Sequence, residues 1–185
     1  MAHKVVIGPV RLSYCHLWEP KKFENSPEKY TVSLIIPKSE EKTIKKIQEA
    51  IELVKQDAVE KHGKGFITSK GFRFPLKDGD EEMPEDSAYA DSYYLNVSSG
   101  DQPKMIDGRK KEITDKKEIY SGCYANVSLN AYFYKRDSSK GITFAINGLQ
   151  KVADGEPLDG RTLNVEEDFE YLDDIDDINE DDFLS

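Results

Sequence analysis

The 185 residues suffice for one domain with a buried core plus appendages. No apolar run nears the roughly 18 residues that cross a bilayer, and the N-terminal MAHKVVIGPV lacks a signal-peptide core, so a cytoplasmic protein without membrane partners is expected. The formal charge of −10 excludes nucleic acid only on average: residues 165–185 hold 11 of the 36 acids and no base, leaving 25 acids against 26 bases in residues 1–164.

In chain order, Lys4–Tyr14 alternates as a first strand, broken by Gly8-Pro9, a pair that marks a bulge or an edge. With Val10, Leu12 and Tyr14 inward, Arg11 and Ser13 face out. The loop Cys15–Glu28 follows, carrying Trp18, Lys21, Lys22, Phe23 and Lys29 at its close, with Pro20 and Pro27 opposing regular structure. Aromatics among lysines either pack beneath a loop or bind a ligand. Tyr30–Pro37 reads as a second strand with Tyr30, Val32, Leu34 and Ile36 inward. Ser39 is the expected N-cap of a helix with Glu40 and Glu41 in its first turn. The stripe Ile44, Ile47, Ile51, Val54 and Ala58 carries that helix to about Lys61, before Gly63. Its lysine-rich outer face reads as solvated.

Gly65–Leu76 is aromatic and basic, and its Phe72-Arg73-Phe74 suits a strand or an ordered loop equally. Lys77–Asp91 is acidic, contains Gly79 and Pro84, and reads as a surface loop. Tyr93–Ser98 is a third strand, with Tyr94 and Asn96 on the face opposite Leu95 and Val97. Ser99–Lys117 is a long loop bearing the basic cluster Arg109, Lys110, Lys111, Lys116 and Lys117.

The clearest stretch is Tyr120–Gln150. Cys123, Ala125, Val127, Leu129, Ala131 and Phe133 occupy every second position, and Ile142, Phe144 and Ile146 repeat the pattern after a polar link at 135–140. An antiparallel hairpin is expected, with Tyr124, Tyr132 and Tyr134 among small amides and hydroxyls on its outer face. Lys135, Arg136 and Lys140 lie at its tip. Flat rings beside cations suit unpaired bases and their phosphates; the same tyrosines also suit a plain sheet covering. Beyond Arg161 the acid-rich 165–185 has too few apolar residues to offset the entropy of ordering, so a disordered tail is expected.

Catalytic and metal chemistry is not legible. His3, His16 and His62 have no ligand spacing with Cys15 or Cys123, and no phosphate-loop or nucleophile-elbow motif occurs. Neither an enzyme nor a cofactor is expected, and both thiols are expected to stay reduced.

Five strands, one helix after the second and a terminal hairpin predict a mainly β fold: a five-stranded Greek-key barrel of the OB type over residues 1–164, with the tail as 165–185. The loops Cys15–Glu28 and 135–140 would flank its ligand groove. The runs RLSYCHLWEP, YTVSLIIPK and YSGCYANVSLNAYFYKRDSSKGITFAINGLQKVADGEPLDGRT, with the acidic end DDIDDINEDDFLS, resemble the bacteriophage single-stranded DNA-binding proteins related to the T7-type replisome protein. That resemblance implies sequence-independent binding of single-stranded DNA in replication and recombination inside the bacterial host. It also implies a tail that competes with DNA and recruits a DNA polymerase or helicase/primase.

Arg11, Trp18, Lys21, Lys22, Tyr94, Arg109, Lys110, Tyr124, Tyr132, Tyr134, Lys135, Arg136 and Lys140 are the expected DNA contacts. Asp176, Asp177, Asp181, Asp182 and Phe183 are the expected partner contacts in the tail, although Leu184 and Ser185 follow the aromatic residue. A protein-interaction module with an acidic mimic tail and an RNA-binding OB protein stand as alternatives, and homodimerisation is left open.

Overall fold

In the computed structural model, which describes residues 2–22 and 27–158, one long strand organises the architecture. That strand, β1 (His3–Lys21), pairs its first half with β7 (Tyr124–Lys135) and its second half with β2 (Lys29–Pro37). Two irregularities let it serve both. At Gly8-Pro9 the register with β7 shifts between Ile7 and Val10, because proline has no N–H to give the ladder. Gly8 has φ +148°, and a Cβ there would lie 2.6 Å from the Asn126 Cα, so the crossing admits only glycine. The second break falls between Ser13 and His16, where Tyr14 has φ +45°.

The remaining barrel strands are β5 (Ser92–Ser99), antiparallel to β2, and β8 (Lys140–Ala153), antiparallel to β7. A short parallel pairing, Val97 with Phe144 and Ser98 with Ala145, joins β5 to β8. The cycle β1-β2-β5-β8-β7-β1 is therefore closed, the five-stranded barrel expected of an OB fold. Alternation fills it: Cys123, just before β7, and Ala125, Val127, Leu129 and Ala131 within it are all 0% exposed. Helix α1 (Glu41–His62) lays Ile44, Ile47, Ile51 and Val54 into the same core. Both cysteines are free.

Several expectations are corrected. Cys15–Lys21 is strand rather than loop, held by the Cys15 N–H on Ser121 Oγ at 2.9 Å and by pairing with β2. Tyr14 points outward, because Leu12 and Ser13 are both buried and the chain reverses its facing there. Ser39 does not cap α1; Glu40 holds that position without a side-chain bond. Lys77–Asp91 is not a plain surface loop, and the strand alternative for Phe72-Arg73-Phe74 holds over Phe72–Arg73. Residues 64–91 form α2 (Lys64–Thr68), β3 (Phe72–Arg73), β4 (Lys77–Asp78), α3 (Gly79–Glu82) and a 3-10 turn at Ser87–Tyr89. Within the long basic loop, β6 (Lys104–Ile106) pairs in parallel with β8.

Candidate functional site

Outer positions of β1, β2 and β5 form a groove of about 450 Å³. Its floor carries Thr31, Ser33, Asn96 and Ser98, and its sides carry Tyr14, His16, Lys21, Met83, Tyr89 and Tyr94. The floor is small and polar because these are the solvent-side positions of strands whose alternate residues, Val32, Leu34, Leu95 and Val97, fill the barrel. Register continues this polar band around the barrel. His16 opposes Thr31, Thr31 opposes Ser98, Ser98 opposes Ala145, and Ala145 opposes Asn130, which opposes Lys4. One step along β7 from Asn130, on the same face, stands Tyr132.

The segment 77–91 builds one wall. Tyr89 is 1% exposed, sits over Ile35 and Tyr94, and donates its hydroxyl hydrogen to Ser33 Oγ at 3.1 Å. Burial pushes the Tyr89 phenol above its ordinary pKa, and does the same to Tyr94, where the Glu82 charge adds to it. Lys38 bolts the segment down, donating to Asp78 Oδ2 at 3.0 Å and Asp80 Oδ2 at 2.9 Å. The Asp91 N–H, followed by Lys38, holds the Asp80 carboxyl below the usual range. Tyr14, 54% exposed, stands at the rim, 6.4 Å from the Tyr89 ring centroid. Its other side meets an acidic hollow lined by Glu82, Glu85 and Asp86.

The expected contact residues fall into separate groups. Lys21 and Tyr94 line the groove, and Lys22 follows Lys21, exposed, just past the strand end. Tyr94, expected as an open stacking ring, is instead 6% exposed and packs edge-on to Tyr89 at 5.1 Å, because the 77–91 segment covers it. Trp18 is half-buried against the core, and its indole N–H donates to the Ile119 carbonyl at 3.0 Å. Arg11 donates to the Gly122 carbonyl at 3.1 Å and the Glu156 carbonyl at 2.7 Å, beneath the exposed Tyr124 ring. Its guanidinium thus straps the chain leaving β8 to the barrel end.

Arg109 and Lys110 are exposed on a turn organised by Asp107, whose Oδ1 accepts the Arg109 and Lys111 N–H groups at 2.8 and 3.0 Å. Those two bonds hold the Asp107 carboxyl below its ordinary range. Tyr132, Tyr134, Lys135, Arg136 and Lys140 come together at the hairpin tip, with Arg136 over the Tyr134 ring at 5.5 Å and Lys140 over Phe66 at 5.7 Å. The tail residues Asp176, Asp177, Asp181, Asp182 and Phe183, together with Phe23, lie outside the described residues.

Sequence reasoning missed Tyr14, His16, Asn96 and Tyr89 as groove residues. The reversed facing comes from the positive φ at Tyr14, which the sequence does not signal, and nothing local announced Tyr89. Among the described residues no group of His, Cys, Asp or Glu is placed to hold a metal ion, and no helix is long and apolar enough to cross a membrane.

The family model described as the Enterobacter phage Enc34 ssDNA-binding protein matches residues 3–184. Putative protein p50 of Acyrthosiphon pisum secondary endosymbiont phage 1 is 31% identical over 178 residues, 91% of this chain and 94% of that one. The single-stranded DNA-binding protein from bacteriophage Enc34, solved in complex with ssDNA, superposes with a TM-score of 0.71 at 25% identity over 83% of this chain and 88% of that chain. The single-stranded DNA-binding protein gp2.5 of bacteriophage T7 shares the fold, with a TM-score of 0.57 at 13% identity over 93% and 98% of the two chains.

Proposed function

The chain belongs to the family of the Enterobacter phage Enc34 ssDNA-binding protein, and from that membership we propose that it binds single-stranded DNA without regard to sequence. The family is one of DNA binders, and the chain is not an enzyme. The observation that carries the reading is the family match across residues 3–184, and the geometry suits it. A groove with a polar floor and an exposed ring at its rim can admit splayed bases, while Lys21 at its side and Lys22 beyond it can meet phosphates.

In this reading Tyr14 stacks a base, Lys21 and Lys22 neutralise phosphates at the β1–β2–β5 groove, and Arg109 and Lys110 do so at the Asp107 turn beside β8. Tyr132, Tyr134, Lys135, Arg136 and Lys140 engage the strand at the hairpin tip, and Tyr124 over Arg11 offers a further ring. Trp18 contributes whatever face its packing leaves open. Residues 1–164 act as the DNA-binding domain and 165–185 as a separate acidic tail. That tail competes with DNA for the basic groups, and through Asp176, Asp177, Asp181, Asp182 and Phe183 it recruits partners such as a DNA polymerase or helicase/primase. The setting is phage replication and recombination in the host cytoplasm.

The test is a titration of labelled oligo-dT, an RNA counterpart and duplex DNA at two salt concentrations. Single-strand affinity should exceed duplex affinity greatly, because stacking requires splayed bases. Equal affinity for single and double strands, or preference for RNA, would sink the proposal.

A further inference from the structure

Strand β3 brings the barrel a cation from outside the five barrel strands. It pairs in parallel with the start of β8, Phe72 opposite Lys140 and Arg73 opposite Gly141. On the other edge of β8, Gly141 opposes Tyr134 and Thr143 opposes Tyr132. Ile142 between them is 2% exposed, which sets Gly141 and Thr143 on the outer face with both tyrosines. Arg73 and Tyr134 therefore flank one glycine, across two strand spacings or about 10 Å.

The close approach depends on that glycine. A Cβ at Gly141 would run into the Arg73 carbonyl oxygen and lie 2.9 Å from the Arg73 Cβ. The tip also carries several cations close together, which like most of the described lysines and arginines have no acid partner among the described residues. Lys38, Lys55, Lys116 and Lys151 each face a carboxylate within 4 Å. Among the described residues no such ion pair involves Arg73, Lys135, Arg136 or Lys140, although Asp137 shares the tip.

We propose that Arg73, Tyr132, Tyr134 and Arg136 form a second single-strand subsite, holding a base on a tyrosine and its phosphate between the two guanidiniums. Planar guanidiniums suit phosphate oxygens bidentately, and a tyrosine face accepts any base. The band from His16 through Thr31, Ser98, Ala145 and Asn130 joins this subsite to the groove, so only a strand long enough to follow it reaches both. The assignment rests on the single-strand reading above.

The test uses the full chain and oligo-dT from about 4 to about 16 nucleotides, the span of OB-fold site sizes. Arg73→Gln should leave the shortest oligomers unaffected and weaken the longest by about 5- to 10-fold. Its log–log salt slope on the longest oligomers should be shallower by about 0.7, one phosphate contact. Arg136→Gln should show the same length dependence, and Arg73→Lys should restore the slope. Unchanged binding at every length, or an equal loss at every length, overturns the subsite. Tighter binding by Arg73→Gln would mean that the patch holds an acidic peptide in competition with DNA, and would overturn it too. A wild-type chain that binds no oligomer of any length overturns the single-strand reading itself, and this subsite with it.

Discussion

Tyr14 and Trp18 share one strand yet differ in what holds them. Tyr14 is 54% exposed at the groove rim, whereas Trp18 is anchored by its hydrogen bond to Ile119 and by packing on the core. Tyr14→Ala should therefore cost about 1–3 kcal/mol of oligo-dT binding and leave the melting transition nearly where it was. Trp18→Ala should lower the melting temperature, by about 2–4 °C for each kcal/mol lost in a domain of this size. It strips the Ile119 carbonyl of its donor and opens a hole beside the core. Anisotropy titrations paired with calorimetry separate the two effects. An early-melting Tyr14→Ala would return that ring to the core. The sequence distinguishes these residues poorly, since both sit among mixed apolar and polar neighbours and the positive φ at residue 14 inverts the expected facing.

Among the elements, the long periodic ones were legible and the short ones were not. Eleven positions of alternation from Cys123 to Phe133 leave no other reading, and the isoleucine stripe of α1 is as plain. A two-residue strand such as β3 or β4 has no period, and the acids of 77–91 mask Met83, Ala88 and Tyr89, which fold onto Ile35 and Tyr94. That segment should be acid-sensitive. The folded-state pKa of Asp80 lies below its ordinary value of about 3.9, so its contribution is complete above that value and is lost as pH falls through the lower folded one. Amide exchange should show residues 79–91 opening in acid before β7, and Lys38→Met should reproduce the opening at neutral pH. Simultaneous loss of protection in both segments would refute the bolt. Gly141→Ala, by pushing β3 off β8, should destabilise by about 1–3 kcal/mol and mimic the length-dependent binding loss of Arg73→Gln. Normal binding to long oligomers would show that Arg73 needs no such seating.

For the molecule as a whole, the sequence located the charge and the barrel, but the placement of the contact residues needed the closure. Rings and cations expected to serve one DNA site are spread between the groove, the Asp107 turn and the hairpin tip. If affinity rests on phosphate neutralisation, as proposed, log Kd should vary with log salt by about 0.7 per phosphate. Deleting residues 165–185 should tighten DNA binding most at low salt, since exposed charges are screened over about 8 Å at physiological ionic strength. Coincident curves for full-length and shortened chains at low salt would remove the tail as a competitor.

One edge of β8 is shared end to end by three partners, β3 at 140–141, β5 at 144–145 and β6 at 148–150. β3, β4 and β6, the short strands at the margins of the closed cycle, are only two, two and three residues long, and so offer little length to template another chain. Copies crowded side by side along a nucleic-acid thread would then find in these margins no strand long enough to knit them into a continuous fibre.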